Sequence, residues 1–180
     1  LCKVTEVMGM GGAAYSGLGT KQSTGTKVLS VSGDCERPGI YEYPFGVRVA
    51  TILEDCGATN VGAVQISGAA GVCLAPHEFG RRIAFEDVAT AGSFMVFDKT
   101  RDMFEVARNF THFFAHESCG FCTPCRVGCA LMKDMMDKIA HGRGARYEIN
   151  EMMRLRDVMR TSSHCGLGQT ATNAFFDTVQ

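Results

Sequence analysis

The chain has 180 residues, 46% of them apolar and 21% charged, with a formal net charge of −1. That describes one or two small domains with enough apolar residues for a packed core. The near-neutral balance gives no electrostatic case for nucleic acid or an anionic membrane surface, and no apolar run approaches the roughly 18 residues of a membrane-spanning helix. No signal peptide is read, and the chain opens on Leu1 rather than Met, as expected of a processed protein or a piece of a longer one. Nine cysteines without a secretory signal point to a reducing compartment, not a disulfide framework. Cys2, Cys35, Cys56 and Cys73 are scattered singly and read as small buried hydrophobes.

In chain order, residues 1–8 read as the end of a helix and the glycine-rich stretch to residue 25 as a flexible connector. It holds a formal Gly9-x-Gly11-x-x-Ala14. A dinucleotide loop needs a strand before it, a helix after it and an acidic residue about 20 positions on. Gly17, Gly19 and the polar run to Gly25 speak against the helix, so a linker is the better reading.

From Thr26 the pattern turns to strands. Residues 27–32 and 40–43 flank Gly33-Asp34 and Pro38-Gly39 and read as a hairpin. Residues 47–56 read as a short helix with Val49, Ile52, Leu53 and Cys56 on one face and Gly57 at its stop. Residues 61–66, 82–85 and 93–97 read as further strands. Together 26–98 make a small α+β domain. Nothing in it forms a catalytic constellation: His77 stands alone, and Asp34, Glu36, Glu54 and Asp55 read as turn or solvent-facing acids.

Residues 99–180 read as four helices. The first, 102–117, places Met103, Val106, Ala107, Phe110, Phe113 and Phe114 on one wide face. The second, 126–141, turns Leu131, Met132, Met135 and Ile139 inward and stops at Gly142 and Gly144. The third, 148–160, turns in Met152, Leu155, Val158 and Met159. The fourth starts near Thr170 and carries Ala174, Phe175 and Val179. Met132, Met135, Met136, Met152 and Met153 read as core. Short loops favour an up-down-up-down bundle.

The chemistry sits in two of those loops. Cys119, Cys122 and Cys125 recur at every third residue in Glu-Ser-Cys-Gly-Phe-Cys-Thr-Pro-Cys-Arg, and Cys165 follows forty residues later in Ser-Ser-His-Cys-Gly-Leu-Gly. A cuboidal iron–sulfur cluster takes a thiolate on each iron. A C-x₂-C-x₂-C loop wraps one side, and a cysteine from elsewhere caps the last iron. Gly120 permits a tight bend, and Pro124 restrains the loop and biases Thr123 toward an extended backbone. The bundle topology puts the first and third loops at the same end, which brings Cys165 to the other three. Zinc is the alternative, but it favours two Cys-x₂₋₄-Cys pairs or Cys₂His₂, and Cys165 has no nearby cysteine partner. Cys129 is the rival fourth ligand. It lacks the following Pro of the ferredoxin run and lies inside the second helix, so Cys165 is favoured. His164 reads as an exposed loop histidine with a ligand or supporting role as the alternative. Arg126 reads either as a counter-charge to the cluster or as a solvent cap.

The two cysteine motifs resemble those of the family of NADH-binding flavoprotein subunits in respiratory complex I, NAD-reducing hydrogenases and NAD-dependent formate dehydrogenases. The Gly33-Asp-Cys-Glu-Arg-Pro-Gly-Ile-Tyr-Glu42 region is similar to the soluble-ligand-binding β-grasp domain of that family, and the Arg160–Gly168 ending looks closest to the hydrogenase diaphorase subunits. The resemblance covers the back part of such a protein. It implies a β-grasp-like domain at 26–98 and a four-helix cluster domain at 99–180. Cys119, Cys122, Cys125 and Cys165 would hold one [4Fe–4S] cluster. It implies FMN and NAD(H) bound upstream, single-electron transfer without a general base or nucleophile here, and iron–sulfur partner subunits, one of them ferredoxin-like with a [2Fe–2S] centre. The expected location is cytoplasmic, or peripheral on the inner face of an energy-transducing membrane. A zinc-stabilised interaction module and a self-contained ferredoxin-like carrier are the other readings.

Overall fold

The structure, a computed structural model, describes residues 2–178, and the side chain of Cys2 and the expected inward position Val179 lie outside what is described. The chain divides into two compact units, one running to residue 68 together with 73–100, the other comprising 69–72 and 101 onward.

The first unit opens with helix α1 (Cys2–Met10) and the one-turn helix α2 (Gly12–Ser16). The first part of the expected connector is therefore helical, because Ala13, Ala14 and Tyr15 tolerate a turn before Gly17 ends it, and the rest to residue 25 is irregular. It is also tied down: the Thr26 amide donates to the Tyr15 hydroxyl at 3.3 Å, and Lys3 pairs with Glu42. No strand precedes Gly9 among the described residues, so the dinucleotide-loop pattern lacks its context.

Strands β1 (Thr26–Gly33) and β2 (Gly39–Pro44) form the expected antiparallel hairpin, with Thr26 opposite Pro44 and Val31 opposite Gly39. Helix α3 (Val49–Asp55) buries Val49, Ile52 and Leu53. Strands β3 (Val61–Ile66), β4 (Val72–Leu74) and β5 (Ser93–Asp98) complete a sheet of order β2-β1-β5-β3-β4. Central β5 runs parallel to β1 and antiparallel to β3, and its alternate residues Phe94 and Val96 are fully buried. Sheet and helices together make the α+β class expected, with the β-grasp-like feature of one helix between a hairpin and later strands.

Residues 82–85 are not a strand. Only the isolated bridges Arg48–Arg82 and Ile83–Val88 form there. The Arg82 amide donates instead to the Asp87 side chain at 2.7 Å, so a local carboxylate takes the place of a ladder partner. β4 is too short to show a period and escapes the sequence pattern. Two of the singly scattered cysteines are neighbours. Burial, with Cys35 alongside, pushes the Cys56 thiol up to about 11, while Cys35 itself is only half-buried.

The second unit consists chiefly of helices α4 (Met103–Glu117), α5 (Thr123–Ala140), α6 (Arg146–Ser162), α7 (Gly166–Thr170) and α8 (Asn173–Thr178). Asp102 caps α4, its carboxylate accepting from the Phe104 and Glu105 amides at 2.9 and 3.3 Å. Contacts join α4 to α5, α5 to α6 and α4 to α8, as in an up-down bundle. The expected fourth helix is two short ones, and the first starts directly after Cys165.

The buried stripe of α5 is Cys125, Gly128, Cys129, Met132 and Met136. Leu131 lies about 100° around the helix from Met132 and is exposed. The same one-position error exposes Val158 beside buried Met159, Met153 beside buried Met152, and Phe113 beside buried Phe114. Met132, Met136 and Met152 pack with Ala107, Phe175 and Phe176.

Asp137 on α5 pins the helix to α4. Its carboxylate accepts from Arg108 Nε at 2.8 Å, lies 2.9 Å from His112 Nε2, and is 3.4 Å from Lys133 Nζ. The Arg108 hydrogen bond, aided by His112, holds its pKa well below the usual carboxylate range. A depressed folded-state pKa means stability that is present above the unfolded value and lost as pH falls through the folded one. In urea unfolding, Asp137→Asn should lower the midpoint at neutral pH, and the gap to the parent should close as pH drops well below about 4. In the same assay Met136→Ala should cost about 2–5 kcal/mol, whereas Leu131→Ala should stay within about 1 kcal/mol.

Candidate metal centre

The connections 118–122 and 163–165 lie at one end of the bundle, and 141–145 joins α5 to α6 at the other. Cys119 stands in the first connection and is exposed. Cys122 is the N-cap of α5, and Cys125 lies within its first turn. The helix thus begins three residues earlier than its pattern suggested. Pro124, expected to restrain a loop, sits in the first turn of a helix, where its fixed φ and missing N–H fit. Thr123 is accordingly helical rather than extended. Cys165 is the N-cap of α7 and is exposed.

All four of these cysteines line one cavity of about 140 Å³, together with Glu117, Ser118, Ser163, Leu167 and Gly168. Of its lining, Cys122, Cys125 and Leu167 pack into one apolar cluster with Phe114, Cys129, Met159 and Ala171. Cavities of about 150 Å³ hold small organic rings, so this one has room for a compact inorganic core. Among the described residues no three His, Cys, Asp or Glu side chains converge as ligands of a single ion.

Backbone and side chains knit the two connections together. The His164 amide donates to Cys122 Sγ at 3.3 Å, across 42 positions of sequence. Ser118 Oγ lies 3.4 Å from Cys125 Sγ and also accepts from the Gly120 amide at 3.4 Å. Gly120 has φ of 79°, in the left-handed region that favours glycine. Arg126 folds back to donate to the Gly120 carbonyl, and its Nη2 lies 3.5 Å from Thr123 Oγ1. It closes the loop, a role that neither the counter-charge nor the solvent-cap reading anticipates. The His164 ring packs edge-on to exposed Phe121, with centroids 6.2 Å apart, and does not line the cavity. The N-terminus of α5 adds the positive end of a helix dipole, which favours anionic sulfur nearby.

Cys129 is buried one turn along α5 and does not line the cavity. Burial, with Cys125 adjacent, pushes its thiol up to about 12.

Two contributors leave little trace in the sequence. Ser163 is 7% exposed, and its Oγ has no hydrogen-bond partner although the atom is buried. Gly168 passes so close that a Cβ on it would lie 2.4 Å from Ser163 Oγ and 2.9 Å from Cys125 Cβ. The only sequence signal is the run of small residues around Cys165. The donor set, the amide on sulfur, the orphan hydroxyl and the glycine cradle all fit a thiolate-held iron–sulfur cluster.

Comparison with known proteins gives the same direction. Residues 105–180 match the family described as NADH-ubiquinone oxidoreductase-F iron-sulfur binding region. The NAD-reducing hydrogenase HoxS subunit alpha of Cupriavidus necator is 36% identical over 98% of this chain and 30% of its own length. The NADP-reducing hydrogenase subunit HndC of Solidesulfovibrio fructosivorans is 32% identical over 92% of this chain and 36% of its own length. A crystal structure of an NAD+-reducing [NiFe]-hydrogenase in the H2-reduced state superposes with a TM-score of 0.94 at 40% identity, over 98% of this chain and 32% of that one. The chain spans about a third of the length of the relatives it matches.

Gly168→Ala should force Ser163 and Cys125 apart. Bound iron per chain should fall several-fold in the purified full-length protein, while far-UV circular dichroism stays close to the parent's.

Proposed function

We propose that Cys119, Cys122, Cys125 and Cys165 hold one [4Fe–4S] cluster and that the chain is the electron-transfer portion of an NAD(H)-linked oxidoreductase subunit, a reading supported by the match of residues 105–180 to the NADH-ubiquinone oxidoreductase-F iron-sulfur binding region. The observation that carries this reading is the single cavity shared by those four cysteines. When bound, the cluster supplies a one-electron relay.

The chain's own residues do the holding. Cys122 and Cys125 present sulfur from the start of α5, Cys119 from the bend made by Gly120, and Cys165 from the cap of α7. Cys125 is backed by the apolar cluster of Phe114, Met159 and Ala171, with Leu167 packed against it. Cys119 and Cys165 lie toward the exposed side, which suits electron exchange with a neighbouring centre.

In the parent protein, single electrons pass between FMN, bound in a part outside this chain, and other iron–sulfur centres of a multi-subunit complex. A ferredoxin-like [2Fe–2S] subunit is the expected neighbour. Among the described residues no helix is long and apolar enough to cross a membrane. A cytoplasmic place, or one peripheral to the inner face of an energy-transducing membrane, goes with this reading. The zinc-module alternative finds no support in the ring of cysteines, which does not converge on one ion.

Anaerobically purified full-length protein should carry one extra set of about four irons with acid-labile sulfide compared with its Cys165→Ala variant. Cys129→Ala should keep that iron and its visible absorbance. Iron retained in Cys165→Ala, or zinc in place of iron in the parent, would falsify the assignment.

A further inference from the structure

We infer that the Ser163 hydroxyl is a hydrogen-bond donor to the sulfur shell of the cluster and a positioning residue that sets its reduction potential. This rests on the cluster reading above and goes beyond the four ligands.

Ser163 ends α6 and has left the helix: its φ of −85° and ψ of 141° are extended, two residues before Cys165. Its backbone is satisfied. The amide donates to the Met159 carbonyl at 3.1 Å, and the carbonyl accepts from Gln169 Nε2 at 3.0 Å. The hydroxyl is the exception. It lines the cysteine cavity, is buried, and is the single buried side-chain polar atom without a partner among the described residues. Leaving a hydroxyl buried and unpaired is costly, so such a group is retained where an acceptor completes it.

The surroundings restrict what that acceptor is. Gly168 closes one side of the hydroxyl and Cys125 stands close by, within reach of the same absent Cβ. Leu167, the four cysteines, Glu117 and Ser118 supply the rest of the cavity wall; Glu117 is paired with His116 Nδ1 at 3.0 Å, and Ser118 Oγ is engaged by the Gly120 amide and lies 3.4 Å from Cys125 Sγ. Sulfur bearing negative charge is the acceptor class on offer. A hydroxyl has one proton to give, and it stays on the oxygen: no bond is made or broken. A donor to cluster sulfur favours the more negative, reduced state and so raises the potential. Charge-assisted hydrogen bonds are stronger than neutral ones, and their strength grows with the charge added on reduction.

The test uses the full-length protein in its complex, with the electron paramagnetic resonance signal that Cys165→Ala abolishes taken as this cluster's. In Ser163→Ala, iron content should match the parent. The reduction equilibrium of that signal should shift toward the oxidised form by up to about tenfold, about 59 mV for a one-electron couple. A proton coupling that exchanges in D₂O should disappear from the pulsed spectrum. Ser163→Thr, which keeps the hydroxyl, should retain both potential and coupling. A fully loaded Ser163→Ala with the parent's potential and proton couplings overturns the inference while leaving the cluster assignment intact. Loss of the cluster from both variants also overturns it, since the residue would then serve packing alone. If Cys165→Ala abolishes no signal, it is the ligand assignment that fails.

Discussion

The cluster proposed here needs four thiolates around one volume, and no single stretch of this chain supplies them. Three come from the turn into α5 and one from the turn into α7, and the meeting of those turns is the constraint the second unit satisfies. Negatively charged sulfurs repel one another when close. The geometry must therefore be imposed by the helices, with the charge met by amides and by whatever the ring encloses. The His164 amide on Cys122 sulfur shows how this is done: it satisfies a sulfur and fastens the second connection to the first in one contact. Everything that keeps α4, α5 and α6 in register serves that contact, including the Asp137 pin between α4 and α5 and the methionine-rich packing farther down the bundle.

Burial separates Cys129 from the four cysteines proposed as ligands. Cys125 and Cys129 are one helical turn apart and share an apolar cluster, yet only Cys125 reaches the cavity. Cys129, turned into the packed interior, is kept protonated by desolvation. A thiol in that state is neither a good nucleophile nor a ligand. The distinction arises from position along α5: both cysteines lie on its buried stripe, and only the one in the first turn reaches the cavity.

Much of this was legible in the sequence. The three-residue cysteine period, the distant Cys165 and the count of helices between them were enough to place both turns at one end of a bundle. Strand alternation revealed the hairpin and the central strands, because one buried face imposes period two. Helix faces were legible only to within one position. Phe113, Leu131, Met153 and Val158 each adjoin a buried residue, and an apolar pair in sequence does not say which member faces inward until the partner helix is known. Asp87 replaced a strand partner through a single side-chain contact that leaves no periodic trace. Pro124 was ambiguous for a physical reason: the residue that disfavours helix before it is also well suited to the first turn of one.

The second connection carries more of the site than its single cysteine suggests. Between residues 163 and 168 it supplies an amide to Cys122, the thiol of Cys165, the unpaired hydroxyl of Ser163 and the bare α-carbon of Gly168 that makes room for that hydroxyl. A larger residue at 168 would collide with both Ser163 and Cys125, so the glycine couples the two connections sterically as the His164 amide couples them by hydrogen bonding. The first connection, by contrast, is braced from within, by Arg126 on the Gly120 carbonyl and by Ser118 on the Gly120 amide. The asymmetry follows from where the ligands come from. A loop holding three sulfurs can fix its own shape, whereas a loop holding one must be positioned against the other, and its non-cysteine residues are spent on that task.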